Sequence, residues 1–213
     1  MEFTKTEAHL PDCCRLKLDL GAYEFGQYMA NDVVMGSVAP TVKSPETRMS
    51  QDPKVDISKS DIIHNDWENQ ALYEEWPEMQ KILKALPNCG IEKAHIRTFP
   101  PGRRLKIHRD GYNAKGEPQG QFDMFNRTMR IHVALQTNPK CHMYAEGKFY
   151  HMAVGEVWML NNFANHSMLN LSETEYRVHL VVDLKPSQDM MDLVDASEKN
   201  LGFVDAELLA QIT

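Results

Sequence analysis

The stretch Ile91–Asp110, IEKAHIRTFPPGRRLKIHRD, decides how the chain folds. Over Ile91–Phe99 and Arg104–His108 the spacing changes to a period of two, the repeat of a strand with one buried face. Between them "PPG" at Pro100–Gly102 reads as a turn. The same pattern continues downstream through Thr128–Gln136, Cys141–Ala145, Lys148–Met152, Glu156–Leu160 and Tyr176–Leu184. Further turn signals stand at Asn138–Lys140 ("NPK"), Glu146–Lys148 ("EGK") and Val154–Glu156 ("VGE"). Seven short strands joined mostly by tight turns predict a mainly β, antiparallel sandwich or barrel. Given the interior site argued below, we expect a double-stranded β-helix, the cupin-like jelly-roll barrel.

Working outward, Leu16, Leu18 and Leu20 alternate as a half-buried strand would. Thr41–Asp61 is polar, lacks aromatic residues and predicts a long surface loop. Leu72, Trp76, Met79, Leu83 and Leu86 fall on one helical face; Pro77 opens a second helix there, and Pro87 and Gly90 end it. Ser187–Ile212 reads as an amphipathic helical tail with Met191, Val194, Leu201, Val204, Leu208 and Leu209 as its apolar face. The expectation is one domain over residues 1–213, with a jelly-roll core at about 91–186 buttressed by N- and C-terminal helices, the latter over 187–213.

Composition narrows the possible functions. With 213 residues, 42% hydrophobic and 25% charged, the chain matches an ordinary globular domain. No apolar run approaches the ~20 residues that span a bilayer, and no leader with a basic segment before an apolar one is visible. The net charge of -7 argues against nucleic acid as a partner. Cys13, Cys14, Cys89 and Cys141 form neither a staple pattern nor a zinc spacing, which points to thiols in a reducing cytoplasm.

Within this scaffold four side chains suggest a chemistry. A His-x-Asp pair alone is weak, but His108 and Asp110 end a strand candidate, and residues two apart in a strand point the same way. Gly111 follows and lets the chain turn away. His166 comes later, after the strand "GEVWML" and the polar segment "NNFAN". Two imidazoles and one carboxylate make the facial triad of a non-haem Fe(II) oxygenase, so His108, Asp110 and His166 are the candidate metal and catalytic residues. Arg177, eleven residues past His166, stands in the apolar strand "YRVHLVV", where a buried cation needs an anionic partner. Arg130 and His132 share a face of "RTMRIHVAL", where they are candidates to contact a bound acid. Tyr112–Arg127 is too long and polar for a hairpin turn and begins beside Asp110, as a lid would. Trp158 and Phe163 read as core, Arg103, Arg104 and Arg127 as surface charges, and His142, His151 and His179 as structural or exposed.

These motifs, "IHRD", "RTMRIHVAL", "GEVWMLNNFANHSMLN" and "YRVHLVVDL", resemble the aspartyl/asparaginyl β-hydroxylase family of Fe(II)/2-oxoglutarate dioxygenases over roughly Ala94–Pro186. The resemblance implies iron held by His108, Asp110 and His166, and the distal carboxylate of 2-oxoglutarate held by Arg177. It implies that Arg130 and His132 contact the cosubstrate near the metal. The expected reaction consumes dioxygen and 2-oxoglutarate and hydroxylates an unactivated carbon of an amino acid or an aspartyl/asparaginyl-type substrate, releasing succinate and carbon dioxide. The animal protein-modifying enzymes of the family lack the carboxylate ligand. Asp110 therefore places this chain nearer the bacterial branch acting on free amino acids such as proline.

Two other readings fit part of the pattern. A metal-binding cupin without 2-oxoglutarate chemistry matches Gly155, His166 and Asn170, but Asn161 and Phe163 stand where its second motif has proline and glycine. It also gives Arg177 no role. A non-catalytic binding barrel predicts no iron binding and no succinate. Substrate identity and oligomeric state are not legible at this level.

Overall fold

Strand β9 (Arg177–Leu184) is buried along its whole length and shows how the molecule is layered. Val178, Leu180, Val182 and Leu184 point to one face, and Arg177, His179, Val181 and Asp183 to the other, as strand alternation requires. The structure is a computed structural model and describes residues 11–18, 20, 63–64, 82–87, 90–111 and 129–213. Before β9 come β1 (Cys13–Arg15), β2 (Ile63–His64), β3 (Ile91–Phe99), β4 (Met129–Gln136), β5 (Cys141–Ala145), β6 (Lys148–Tyr150), β7 (Val157–Leu160) and β8 (His166–Asn170). After it come α1 (Gln188–Ala196) and α2 (Ala206–Ala210).

Six strands form one antiparallel sheet in the order β1-β7-β4-β9-β3-β2, and three form a second in the order β6-β5-β8. The apolar face of the large sheet, with Ile131, Val133, Leu180 and Val182, is covered by Met190, Met191 and Val194 of α1, by Ile82 in the helical residues 82–85 and by Leu86 just after them. Its other face meets the small sheet: Ala134, Trp158 and Leu160 pack with Met143, Ala145 and Tyr150. This is the two-sheet, helix-buttressed arrangement expected of a double-stranded β-helix. No helix among the described residues is long and apolar enough to cross a membrane.

The expected strands recur at Ile91–Phe99 and Cys141–Ala145, and within a residue or two elsewhere, with two exceptions. Arg104–His108 is not a regular strand. It meets β8 only at the bridges Arg104–Leu169 and His108–His166, because the Ile107 amide donates to the Ile212 carbonyl (3.1 Å) rather than to β8. Conversely, His166–Asn170 is a strand that the polar reading of "NNFANH" did not anticipate. Cross-strand bonds to β5 override weak local propensity there.

The tail is also not one amphipathic helix. α1, capped by the Ser187 hydroxyl, stops at Ala196, and the following segment runs extended, with Glu198 bridging Arg15 and Phe203 bridging Phe149. Leu201 and Val204 are consequently 40% and 78% exposed, while Leu208 and Leu209 pack with Ile212 against Phe149 and Leu169. Leu16 and Leu20 are buried, but the N-terminal strand is Cys13–Arg15. The turn Glu146–Gly147 has positive φ at both positions (38° and 90°), the hairpin conformation that glycine at the second position favours. The loop at Thr41–Asp61, most of the helical run before Ile82 and the lid candidate Tyr112–Arg127 lie outside the described residues.

Candidate metal centre

Backbone pairing brings the two candidate histidines together. The His108 amide donates to the His166 carbonyl (3.0 Å) and the His166 amide to the His108 carbonyl (2.9 Å), which sets the ring centroids 4.3 Å apart. Two residues on, the Asp110 amide donates to the Asn162 carbonyl (2.9 Å), and Gly111 then turns the chain with φ of 77°. Phe163, buried as the sequence suggested, accepts a bond from Arg109 Nε at 2.5 Å, so residues 108–110 are laced to the β7–β8 connection.

Each ring is also oriented by its own backbone. His108 Nδ1 lies 2.9 Å from the Lys106 carbonyl, and His166 Nδ1 lies 3.1 Å from the Ala164 carbonyl. A carbonyl only accepts, so both Nδ1 atoms carry a proton, and in its neutral form each ring presents a bare Nε2. Those Nε2 atoms stand 3.8 Å and 3.7 Å from Asp110 Oδ1. One ligand atom from each of His108, Asp110 and His166 lies within 4.8 Å of the others, a geometry that could hold a metal ion. Two neutral imidazole nitrogens and one carboxylate oxygen suit a divalent transition metal of the non-haem iron type.

The protonation states agree with that use. Burial alone would raise the Asp110 carboxyl, but Arg130, His166, the Asn162 hydrogen bond and His108 outweigh it and hold the group well below the usual carboxylate range. Burial pulls His166 down to about 4 despite the opposing pull of Asp110, so the ring is neutral at pH 7. Asp110 Oδ2 accepts from Arg130 Nη1 and from Asn162 Nδ2 (3.0 Å), which leaves Oδ1 facing the rings. Arg130 is itself clasped by Asp183, Nε to Oδ1 at 2.8 Å and Nη2 to Oδ2 at 3.1 Å.

Arg177 is 2% exposed and, among the described residues, pairs with no carboxylate. Its Nη2 instead donates to His179 Nδ1 at 2.5 Å. Arginine cannot accept, so His179 carries its proton on Nε2 and is neutral. Burial, then the nearby Arg177, His132 and His151, hold its affinity for a second proton well below the ordinary value. Burial draws the Arg177 guanidinium itself down to about 10; the Cys141 thiol opposes this and Arg97 adds to it. The ring of His132 sits edge-on to His179 with centroids 5.7 Å apart. Arg130, His132, His179 and Arg177 therefore mark one polar face across the paired strands β4 and β9.

Sequence reasoning missed three residues at this face: Asn162, Asp183 and His179. For the last two the signal was present, since both lie at even offsets from Arg177 and so share its side of the strand. Asn162 carries no comparable signal, because its role depends on the β7–β8 connection folding back over Asp110.

The family model described as Aspartyl/Asparaginyl beta-hydroxylase matches residues 58–186. The chain belongs to the aspartyl/asparaginyl β-hydroxylase family. It is 34% identical over 84 residues to an L-proline cis-4-hydroxylase of Rhizobium meliloti (strain 1021). That alignment takes in 39% of this chain and spans only 30% of the relative's length. Among solved structures, CytC3 with Fe(II) and alpha-ketoglutarate superposes with a TM-score of 0.50 at 15% identity, covering 88% of this chain and 80% of that one. This likeness shows the shared fold. These matches favour neither the plain cupin nor the non-catalytic barrel.

Proposed function

We propose that this family member is an Fe(II)- and 2-oxoglutarate-dependent dioxygenase that hydroxylates an unactivated carbon of an amino acid or an aspartyl/asparaginyl-type substrate. The observation that carries the reading is the convergence of one ligand atom each from His108, Asp110 and His166 within 4.8 Å, with the two Nε2 atoms 3.8 Å and 3.7 Å from Asp110 Oδ1 and both imidazole tautomers set for metal. In this reading His108, Asp110 and His166 are the iron ligands. Iron and 2-oxoglutarate, when bound, supply the oxidising chemistry that inserts one atom of dioxygen into a C–H bond, with succinate and carbon dioxide as coproducts.

The residues of the chain bind, orient and exclude water. Arg177 holds the distal carboxylate of 2-oxoglutarate, a bidentate task that suits a guanidinium. A neutral His179 fixes that guanidinium without neutralising it, which leaves its charge for the ligand. Arg130 and His132 contact the keto-acid end near the metal. The apolar packing of Met143, Ala145, Tyr150 and Trp158 between the sheets keeps water from the interior.

A free amino acid is the favoured substrate, because the chain has Asp110 and because its relative acts on L-proline. The net charge of -7 supports a small-molecule or peptide substrate, without nucleic acid or membrane as partner. The buried thiols of Cys13, Cys14 and Cys141 support a cytoplasmic setting. We further propose that residues 1–213 form a single dioxygenase domain, with the sheets at its centre.

The test is a succinate-release screen with iron(II), 2-oxoglutarate and ascorbate against free amino acids, proline included, and short acidic peptides. A substrate-dependent signal is expected, and Asp110→Ala is expected to abolish it while the circular dichroism spectrum is preserved. Undiminished turnover in Asp110→Ala refutes the proposal.

A further inference from the structure

The Asp110 carboxylate divides its two oxygens between different partners. Oδ2 accepts from Arg130 Nη1 and from Asn162 Nδ2, whereas Oδ1 faces His108 Nε2 at 3.8 Å and His166 Nε2 at 3.7 Å. Arg130 on its own would make this arrangement a poor metal site. A carboxylate closed into a neutral pair with a buried guanidinium has little net charge left for a dication, and the guanidinium repels that dication.

The structure supplies a second anion on the far side of Arg130. Asp183 lies opposite Arg130 in the β4–β9 register and accepts from its Nε and Nη2 in a bidentate pair, 2.8 Å and 3.1 Å. Both partners are largely buried, so little solvent screens the balance of charges. Counted together, Asp183, Arg130 and Asp110 carry one net negative charge.

We propose that Asp183 is a positioning residue for the metal centre. By neutralising Arg130 it leaves the charge of Asp110 available to a divalent cation, while the Asn162 amide keeps Oδ2 and leaves Oδ1 to the imidazoles. One-oxygen coordination keeps the remaining positions of the ion open for other ligands. The inference rests on the reading of His108, Asp110 and His166 as metal ligands.

Cobalt(II) is the probe, with binding to the full chain followed by calorimetry and by the visible absorption of the bound ion. Asp183→Asn is expected to weaken binding ~10–100-fold, the range for losing an outer-sphere partner, and to change the cobalt spectrum. Adding Arg130→Met to Asp183→Asn removes the unbalanced cation and restores affinity to within about threefold of wild type. A purely structural role for the pair predicts no such rescue, since the double variant lacks the pair entirely.

The proposal is overturned if Asp183→Asn binds cobalt as the wild type does, or if the double variant binds as weakly as Asp183→Asn. Should Asp183→Asn fail to fold, the double variant, which buries neither charge, decides alone. Affinity within about threefold of wild type supports the inference, and any larger loss overturns it. Failure of the underlying reading has a different signature: no one-to-one cobalt binding by wild type, or binding that survives His108→Ala.

Discussion

Arg177 gives a prediction in which stability and function move in opposite directions. Replacing it by Met removes a cation that is 2% exposed and has no carboxylate partner among the described residues, while keeping most of the side-chain volume. The guanidinium falls from its ordinary value to about 10, chiefly through burial. At about 1.4 kcal/mol per tenfold change in proton affinity, this places the cost of the charged form near ~3 kcal/mol. Met also removes the donor to His179 Nδ1, and a buried acceptor left unmatched costs ~1 kcal/mol. The ligand-free Arg177→Met protein is therefore expected to be more stable than wild type by ~2 kcal/mol, which raises Tm by roughly 4–8 °C for a chain of this size. In the same variant, the stabilisation given by 2-oxoglutarate in a thermal melt is expected to vanish, with affinity falling ~100-fold or more for want of the charge-assisted pair. Melts with and without 2-oxoglutarate, in the presence of manganese(II), measure both. A variant that is less stable than wild type yet keeps its 2-oxoglutarate response would refute the argument on both counts.

The metal-free protein should lose stability as pH falls from 6.5 towards 4. Buried His166 is held down to about 4, so across that window the unfolded chain takes up the proton first. The contribution is ~2 kcal/mol at pH 5 relative to pH 7, and urea unfolding at the two pH values should show it shrinking in His166→Asn. Gly147→Ala places a Cβ at φ of 90° in the β5–β6 turn and should cost ~1 kcal/mol, read as a lower urea midpoint with unchanged cobalt affinity. Asp205 caps α2 by accepting from the amides of Glu207 (2.9 Å) and Leu208 (3.0 Å). Asp205→Ala should also cost ~1 kcal/mol, seen as earlier loss of amide protection in the tail than in β9.

The β core was legible because period-two spacing is a local signal. Ile91–Phe99 and Cys141–Ala145 match residue for residue, and His108, Asp110 and His166 lie together although residues 104–110 are not the regular strand that the spacing argument assumed. Less legible was whatever depended on neighbours distant in the chain. His166–Asn170 is polar enough to read as a loop and becomes a strand through β5. Arg104–His108 alternates well but gives up a ladder bond to Ile212. The tail is apolar at helical spacing, yet Glu198 and Phe203 find strand-like partners in Arg15 and Phe149, and these interrupt it. Arg177 illustrates a different limit. Its burial was expected together with an anionic partner, whereas the residue beside it is a neutral histidine, and only coordinates distinguish the two.

The bond from the Ile107 amide to the Ile212 carbonyl ties the far tail to the residue beside His108. Gln211 strengthens the tie through Arg104 Nε at 2.9 Å, and Ile212 is buried beneath Phe149 and Leu169. Residues 211–213 thus act as a latch on the very segment that presents two of the three donor atoms. Deleting residues 211–213 would therefore free the segment that carries His108 and Asp110, although neither residue is itself changed.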